Sequence, residues 1–139
     1  TGNEGEPLTQ TNGGRILLVE DQDSVRDMLL TMLERLGYEA APCETGLEAL
    51  DILRENPGAF DLVLTDHNMP KMTGLELAQQ ISCDLPDLPF ILLSGYSEQK
   101  LKDLMQENPV IKAILRKPVA KNVLAQKIEA VLSGQKIAA

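Results

Sequence analysis

Tryptophan is absent from this chain, and only Tyr38, Phe60, Phe90 and Tyr96 are aromatic. Positive charge is also scarce, with 13 Lys and Arg against 21 Asp and Glu and a net charge of −8. Such a chain repels a phosphate backbone and has no basic cluster interleaved with rings, so direct nucleic-acid binding is not expected. Cysteine is limited to Cys43 and Cys83, without a CxxC spacing. Reduced cytosolic thiols behaving as small apolar residues are the expectation. No apolar run approaches the roughly 18 residues of a membrane span, so membrane contact is not expected. The opening TGNEGEPLTQTNGG lacks a basic n-region and an apolar h-region and does not read as a secretory signal.

What remains is ordinary globular material. The 139 residues, 43% apolar and 24% charged, suit one domain with its own core. Residues 1–14 read as a flexible leader, 15–134 as the domain and 135–139 as a tail. From Arg15 onward, short apolar runs alternate with helical periods. The runs are Arg15–Val19, Tyr38–Ala41, Leu62–Thr65, Phe90–Leu93 and Ala113–Leu115, the last extending back toward Val110. Between them lie helical faces. The first carries Val25, Met28, Leu29, Met32, Leu33 and Leu36 and stops at Gly37. Thr45 caps a helix with Leu47, Leu50 and Leu53, and Thr73 caps one with Leu75, Ala78 and Ile81. Ser97 caps a helix with Leu101, Leu104 and Met105, and the last face holds Ala120, Val123, Leu124, Ile128, Val131 and Leu132. These stripes are expected to be core. Regular alternation of this kind specifies an α/β domain, a doubly wound parallel sheet with helices on both faces.

In such sheets the ligand site lies beyond the carboxyl ends of the strands. Glu20 and Asp21 follow the first run, Asp66 the third, Ser94 the fourth and Lys117 the fifth. The second contributes only Pro42 and Cys43. Two unit charges about 4 Å apart interact by roughly 4 kcal/mol at an effective dielectric near 20, so converging acids need a cation. Oxygen ligands without His or Cys suit a hard ion such as Mg²⁺, which keeps open positions for water or substrate. A main-chain carbonyl near Asn68 could add a ligand. A metal beside a lysine and a hydroxyl suits a phosphoryl group, with Asp66 as the carboxylate nucleophile. His67 is expected to face solvent.

At these residues the sequence resembles the receiver domain of two-component response regulators. The resemblance rests on the acidic pair Glu20-Asp21, the run from Asp66 through Met69, Pro70 and Gly74, Ser94-Gly95 and Lys117-Pro118, each after its own strand. It implies a flavodoxin-like (βα)5 fold with strand order 2-1-3-4-5. It implies that Asp66 accepts a phosphoryl group from the phosphohistidine of a histidine kinase or histidine phosphotransfer domain. Glu20, Asp21, Asp66 and the Asn68 carbonyl would hold Mg²⁺ or Mn²⁺. Ser94 and Lys117 would contact the phosphoryl oxygens, and the Lys117-Pro118 peptide is often cis in this family. The surface of the fourth helix, fifth strand and fifth helix would then change affinity for a downstream protein. Many receivers carry Tyr or Phe three residues before the lysine; here that position is Ile114, with Tyr96 a candidate substitute.

The polar leader fits a receiver at the end of a hybrid sensor kinase, with a stand-alone regulator as the alternative. The expected location is cytoplasmic, as the cytoplasmic part of a membrane-anchored kinase in the first case. His67 lies beside the acceptor and not on a dimerisation helix, so the chain itself does not read as a kinase or other enzyme. The enzymatic rival is an aspartate-nucleophile phosphatase or hydrolase. Its second acid would fall at Asn68, which cannot donate a catalytic proton at neutral pH. A flavin carrier would need a Ser/Thr/Gly-rich phosphate loop where Glu20-Asp21-Gln22-Asp23 stands. A receiver-like binding module that is not phosphorylated would not need all of these site residues.

Overall fold

The apolar runs become five parallel strands because each can bury both of its faces. The computed structural model describes residues 14–95, 98–117 and 119–133. In chain order the elements are β1 (Arg15–Val19), α1 (Asp23–Arg35), β2 (Glu39–Cys43), α2 (Gly46–Glu55) and β3 (Leu62–Asp66). They continue with α3 (Gly74–Ser82), β4 (Phe90–Ser94), α4 (Glu98–Glu107), β5 (Ile111–Arg116) and α5 (Lys121–Leu132). The sheet order is β2-β1-β3-β4-β5, all parallel, as the alternation and the resemblance required. The sheet turns at the junction of β1 and β3, which is where side chains from separate loops can meet.

Alternate strand residues feed two cores. Leu17, Val19, Val63 and Leu92 pack with Leu50, Leu53, Leu77 and Ile81 of α2 and α3. Ile16, Leu18, Leu64 and Leu93 pack with Leu29, Leu33, Leu124 and Ile128 of α1 and α5. The central β3 is buried along its whole length, including its terminal aspartate. Local chemistry supports the helices that flank the site. Thr45 Oγ1 accepts from Glu48 N at 3.0 Å. Thr73 and Glu76 form a reciprocal capping box, which satisfies two donors that would otherwise be orphaned.

Several expectations need correction. β2 is shifted to 39–43, so Tyr38 lies before it and Cys43 within it. β3 and β4 each run one residue further than read, because Asp66 pairs with Leu93 and Ser94 with Arg116. Gly14, assigned to the leader, is buried, and its carbonyl accepts from Glu39 N at 3.0 Å. Met28, Leu47 and Val123 were placed in the core stripes but are 46%, 53% and 39% exposed, at the edges of their helical faces. Cys43 is buried, and burial pushes its thiol up to about 12, so it stays neutral. Cys83 is instead exposed, at the end of α3. Residues 1–13 and 134–139, the Ser97 cap, Tyr96 and Pro118 lie outside the described residues, as do the side chains of Leu101 and Leu104.

Candidate functional site

Glu20 leaves the end of β1 with its backbone still in the ladder, its N–H donating to Cys43 O at 3.1 Å. Its side chain is fully buried, and one oxygen, Oε2, accepts from Gln22 N at 3.1 Å. The other, Oε1, points to Lys117 Nζ at 3.9 Å. Asp66 ends β3, is also buried, and meets the same Nζ at 2.9 Å through Oδ1. Asp21 is half-buried beside them. One carboxylate oxygen from each of Glu20, Asp21 and Asp66 lies within 4.8 Å of the others. Lys117 is positioned by its own backbone, whose N–H donates to Ser94 O at 3.1 Å just past β5. Ser94 is buried at the end of β4. The structure therefore brings together Glu20, Asp21, Asp66 and Lys117, with Ser94 on the adjoining strand.

The charges do not balance. Three carboxylates face one lysine, and Glu20 Oε1 and Asp21 Oδ1 are buried with no hydrogen-bond partner among the described residues. Burial pushes the Glu20 carboxyl above the usual carboxylate range. The Gln22 amide opposes that, the Asp66 charge adds to it, and Lys117 opposes it. Buried carboxylate oxygens without a hydrogen-bond donor are what a small, hard cation would satisfy, and the all-oxygen donor set fits Mg²⁺ or Mn²⁺.

The loop from β3 to α3 fixes the Asp66 side of the rim. His67 N donates to Leu93 O at 2.9 Å, and His67 O accepts from Met69 N and Gly74 N, both at 3.1 Å. His67 is buried, contrary to the solvent-facing position expected, because these bonds hold it in line with β3. Asn68 is exposed on this loop. Met72 N donates to Pro70 O at 2.7 Å around Lys71, whose φ is 71°, in the region L side chains rarely enter. Met69 and Met72 anchor the loop in the core. A Cβ on Gly74 would stand 2.7 Å from Asp66 O and 2.9 Å from Leu92 Cδ2, so only glycine lets α3 start this close to β3. Ile114 lies on β5 opposite Leu92, half-buried against the α2–α3 core.

One participant was not singled out from sequence. Arg26, on α1, donates from Nη1 to Glu20 O at 3.0 Å and from Nη2 to Asp23. The signal was present as a basic residue three positions after an acid, in the first turn of a helix opening from the acidic loop.

The family model for the response regulator receiver domain matches residues 16–129. The chain belongs to the response regulator receiver family. The receiver is 34% identical over 131 residues to the sensor kinase CckA of Brucella abortus (strain 2308), an alignment covering 94% of this chain and 14% of that protein. It is 36% identical over 118 residues to the response regulator receiver protein CpdR of the same organism, covering 85% of this chain and 96% of CpdR. Among solved structures, the response regulator TrrA of Thermotoga maritima, in complex with Mg²⁺ and BeF, superposes with a TM-score of 0.74 at 31% identity. That match covers 85% of this chain and 98% of TrrA. The receiver thus spans a small part of the sensor kinase and nearly the whole of CpdR. It is a receiver domain of two-component systems, a family of phosphoacceptor signalling domains. No helix among the described residues is long and apolar enough to cross a membrane.

Proposed function

We propose that Asp66 is the phosphoacceptor of this receiver and that it takes its phosphoryl group from a phosphohistidine on a histidine kinase or histidine phosphotransfer domain. The convergence of Glu20, Asp21 and Asp66 with Lys117 on one rim supports this reading above all else. An Asp66 carboxylate oxygen attacks phosphorus in line, the new O–P bond forms as the N–P bond breaks, and the imidazole leaves and takes up a proton. Glu20, Asp21, Asp66 and the main-chain carbonyl of Asn68 are the groups that would hold Mg²⁺ or Mn²⁺. When bound, the ion neutralises phosphoryl oxygens. Lys117 pairs with Asp66 at rest and is placed to turn its charge to a phosphoryl oxygen after transfer. Ser94 supplies a hydroxyl from the next strand.

The domain acts as an acceptor and switch, not as an enzyme with its own substrate pocket. The added charge biases the surface of α4, β5 and α5, which then binds a downstream protein differently. With Ile114 in place of an aromatic, that bias is carried without a ring turning inward on β5. The similarity to the sensor kinase CckA supports origin in a hybrid sensor kinase, which would place the receiver on the cytoplasmic side. Incubation with Mg²⁺ and acetyl phosphate, followed by intact-mass measurement, is expected to show one added phosphoryl group, labile to base and absent from Asp66→Asn. No added mass, or mass retained in Asp66→Asn, overturns the assignment.

A further inference from the structure

The acidic loop after β1 is held from outside the rim. The Glu20 N–H is taken by Cys43 O, and Glu20 Oε2 by Gln22 N. The remaining backbone group, Glu20 O, would end the strand without a partner, and Arg26 Nη1 takes it at 3.0 Å. The Arg26 side chain is only 14% exposed, and its second nitrogen is fixed by Asp23, whose own carboxylate is 84% exposed. The Arg26 backbone N–H donates to Gln22 O at 2.8 Å as the opening bond of α1, which holds Arg26 at the far end of the segment that carries Asp21 while its side chain holds Glu20 O. Glu20 is thereby fixed at its N–H, its carbonyl and one carboxylate oxygen, and only Oε1 is left facing the rim. A surface ion pair between Arg26 and Asp23 alone would contribute little. The bond to a strand-end carbonyl constrains the backbone that aims the carboxylates of two residues.

We propose that Arg26 is a positioning residue for Glu20 and Asp21, setting divalent-cation affinity through the Glu20 carbonyl without touching the ion. The proposal rests on the acidic rim holding such an ion. Groups of this kind, one step removed from the ligands, commonly change metal affinity about 10- to 100-fold when lost.

The test compares wild type with Arg26→Met, which keeps the aliphatic stem, and Arg26→Lys, which keeps a cation and a donor. Mg²⁺ affinity is read by titration calorimetry, and amide exchange at Gln22 is read in metal-free protein. Leu33→Ala on the same helix is the control for a purely structural loss, lowering stability while leaving Mg²⁺ affinity within about twofold. Arg26→Met is expected to weaken Mg²⁺ binding at least about tenfold and to speed Gln22 exchange beyond the change in the control, with Arg26→Lys recovering part of both. Should Arg26→Met fail to fold, Arg26→Lys against Leu33→Ala decides the matter by the same two readouts. Mg²⁺ affinity in the Arg26 variants equal to wild type, or weakened no more than in Leu33→Ala, overturns the proposal alone. Absence of Mg²⁺ binding by wild type overturns the function proposed above as well.

Discussion

Glu20 carries the largest tension in the site. Burial raises its pKa because the charged form loses water without gaining a full set of partners. A carboxyl raised in the folded state contributes stability that is complete below its unfolded pKa and is lost as pH rises through the folded one. The metal-free receiver is therefore expected to lose stability from this group as pH rises above the ordinary carboxylate range and through the raised Glu20 pKa. Glu20→Gln keeps an oxygen for the Gln22 amide and removes the charge. It is expected to stabilise the metal-free protein above the raised Glu20 pKa, with the gain shrinking as pH falls toward the ordinary carboxylate range, as measured by chemical denaturation across a pH series. The same variant is expected to weaken Mg²⁺ binding. A gain that grows toward acid would contradict burial as the source of the tension. Cys43 stands in contrast: its thiol, buried at the end of β2, is held neutral and has no part in the rim.

At the scale of elements, the junction of β3 and α3 is the least forgiving part of the chain. Gly74 lets the first turn of α3 rest on the carbonyl of Asp66, and the neighbours of a new Cβ there include backbone atoms of Asp66 and His67. Gly74→Ala is expected to cost about 1 to 3 kcal/mol, seen as a lowered denaturant midpoint with unchanged slope. The helices were legible from sequence where a short apolar face met a capping residue, as at Thr45 and Thr73. So was the rim, because polar residues after apolar runs must lie at strand ends. Strand ends themselves were read short at Asp66 and Ser94, since backbone pairing continues regardless of side-chain polarity. Met28 was read as core because it sits one position from Leu29, yet about 100° of helix rotation carries it to the rim of the buried face. The burial of His67 and the grip of Arg26 on Glu20 are contacts made by backbone carbonyls, which leave no periodic mark in a sequence.

For the molecule as a whole, a divalent ion held at the rim would tie folding to cation concentration. Any ion bound only by the folded state stabilises it by about 1.4 kcal/mol for each tenfold excess over its dissociation constant. Thermal melts are expected to rise with Mg²⁺ in wild type and to stay close to the chelator-treated value in Asp21→Asn until much higher Mg²⁺. Identical responses would remove Asp21 from the binding group. The two cores share one sheet, so Leu64→Ala on one side is expected to cost about 2 to 5 kcal/mol and to unfold both sides in a single transition. The contact between Gly74 and the Asp66 carbonyl has a further consequence. It pins the backbone of the acid that would be charged, with α3 seated against it. Under the proposed transfer, negative charge arriving at Asp66 would find no slack beneath it, and the response would be left to the flank across the sheet, where Ser94 ends β4 and Lys117 follows β5.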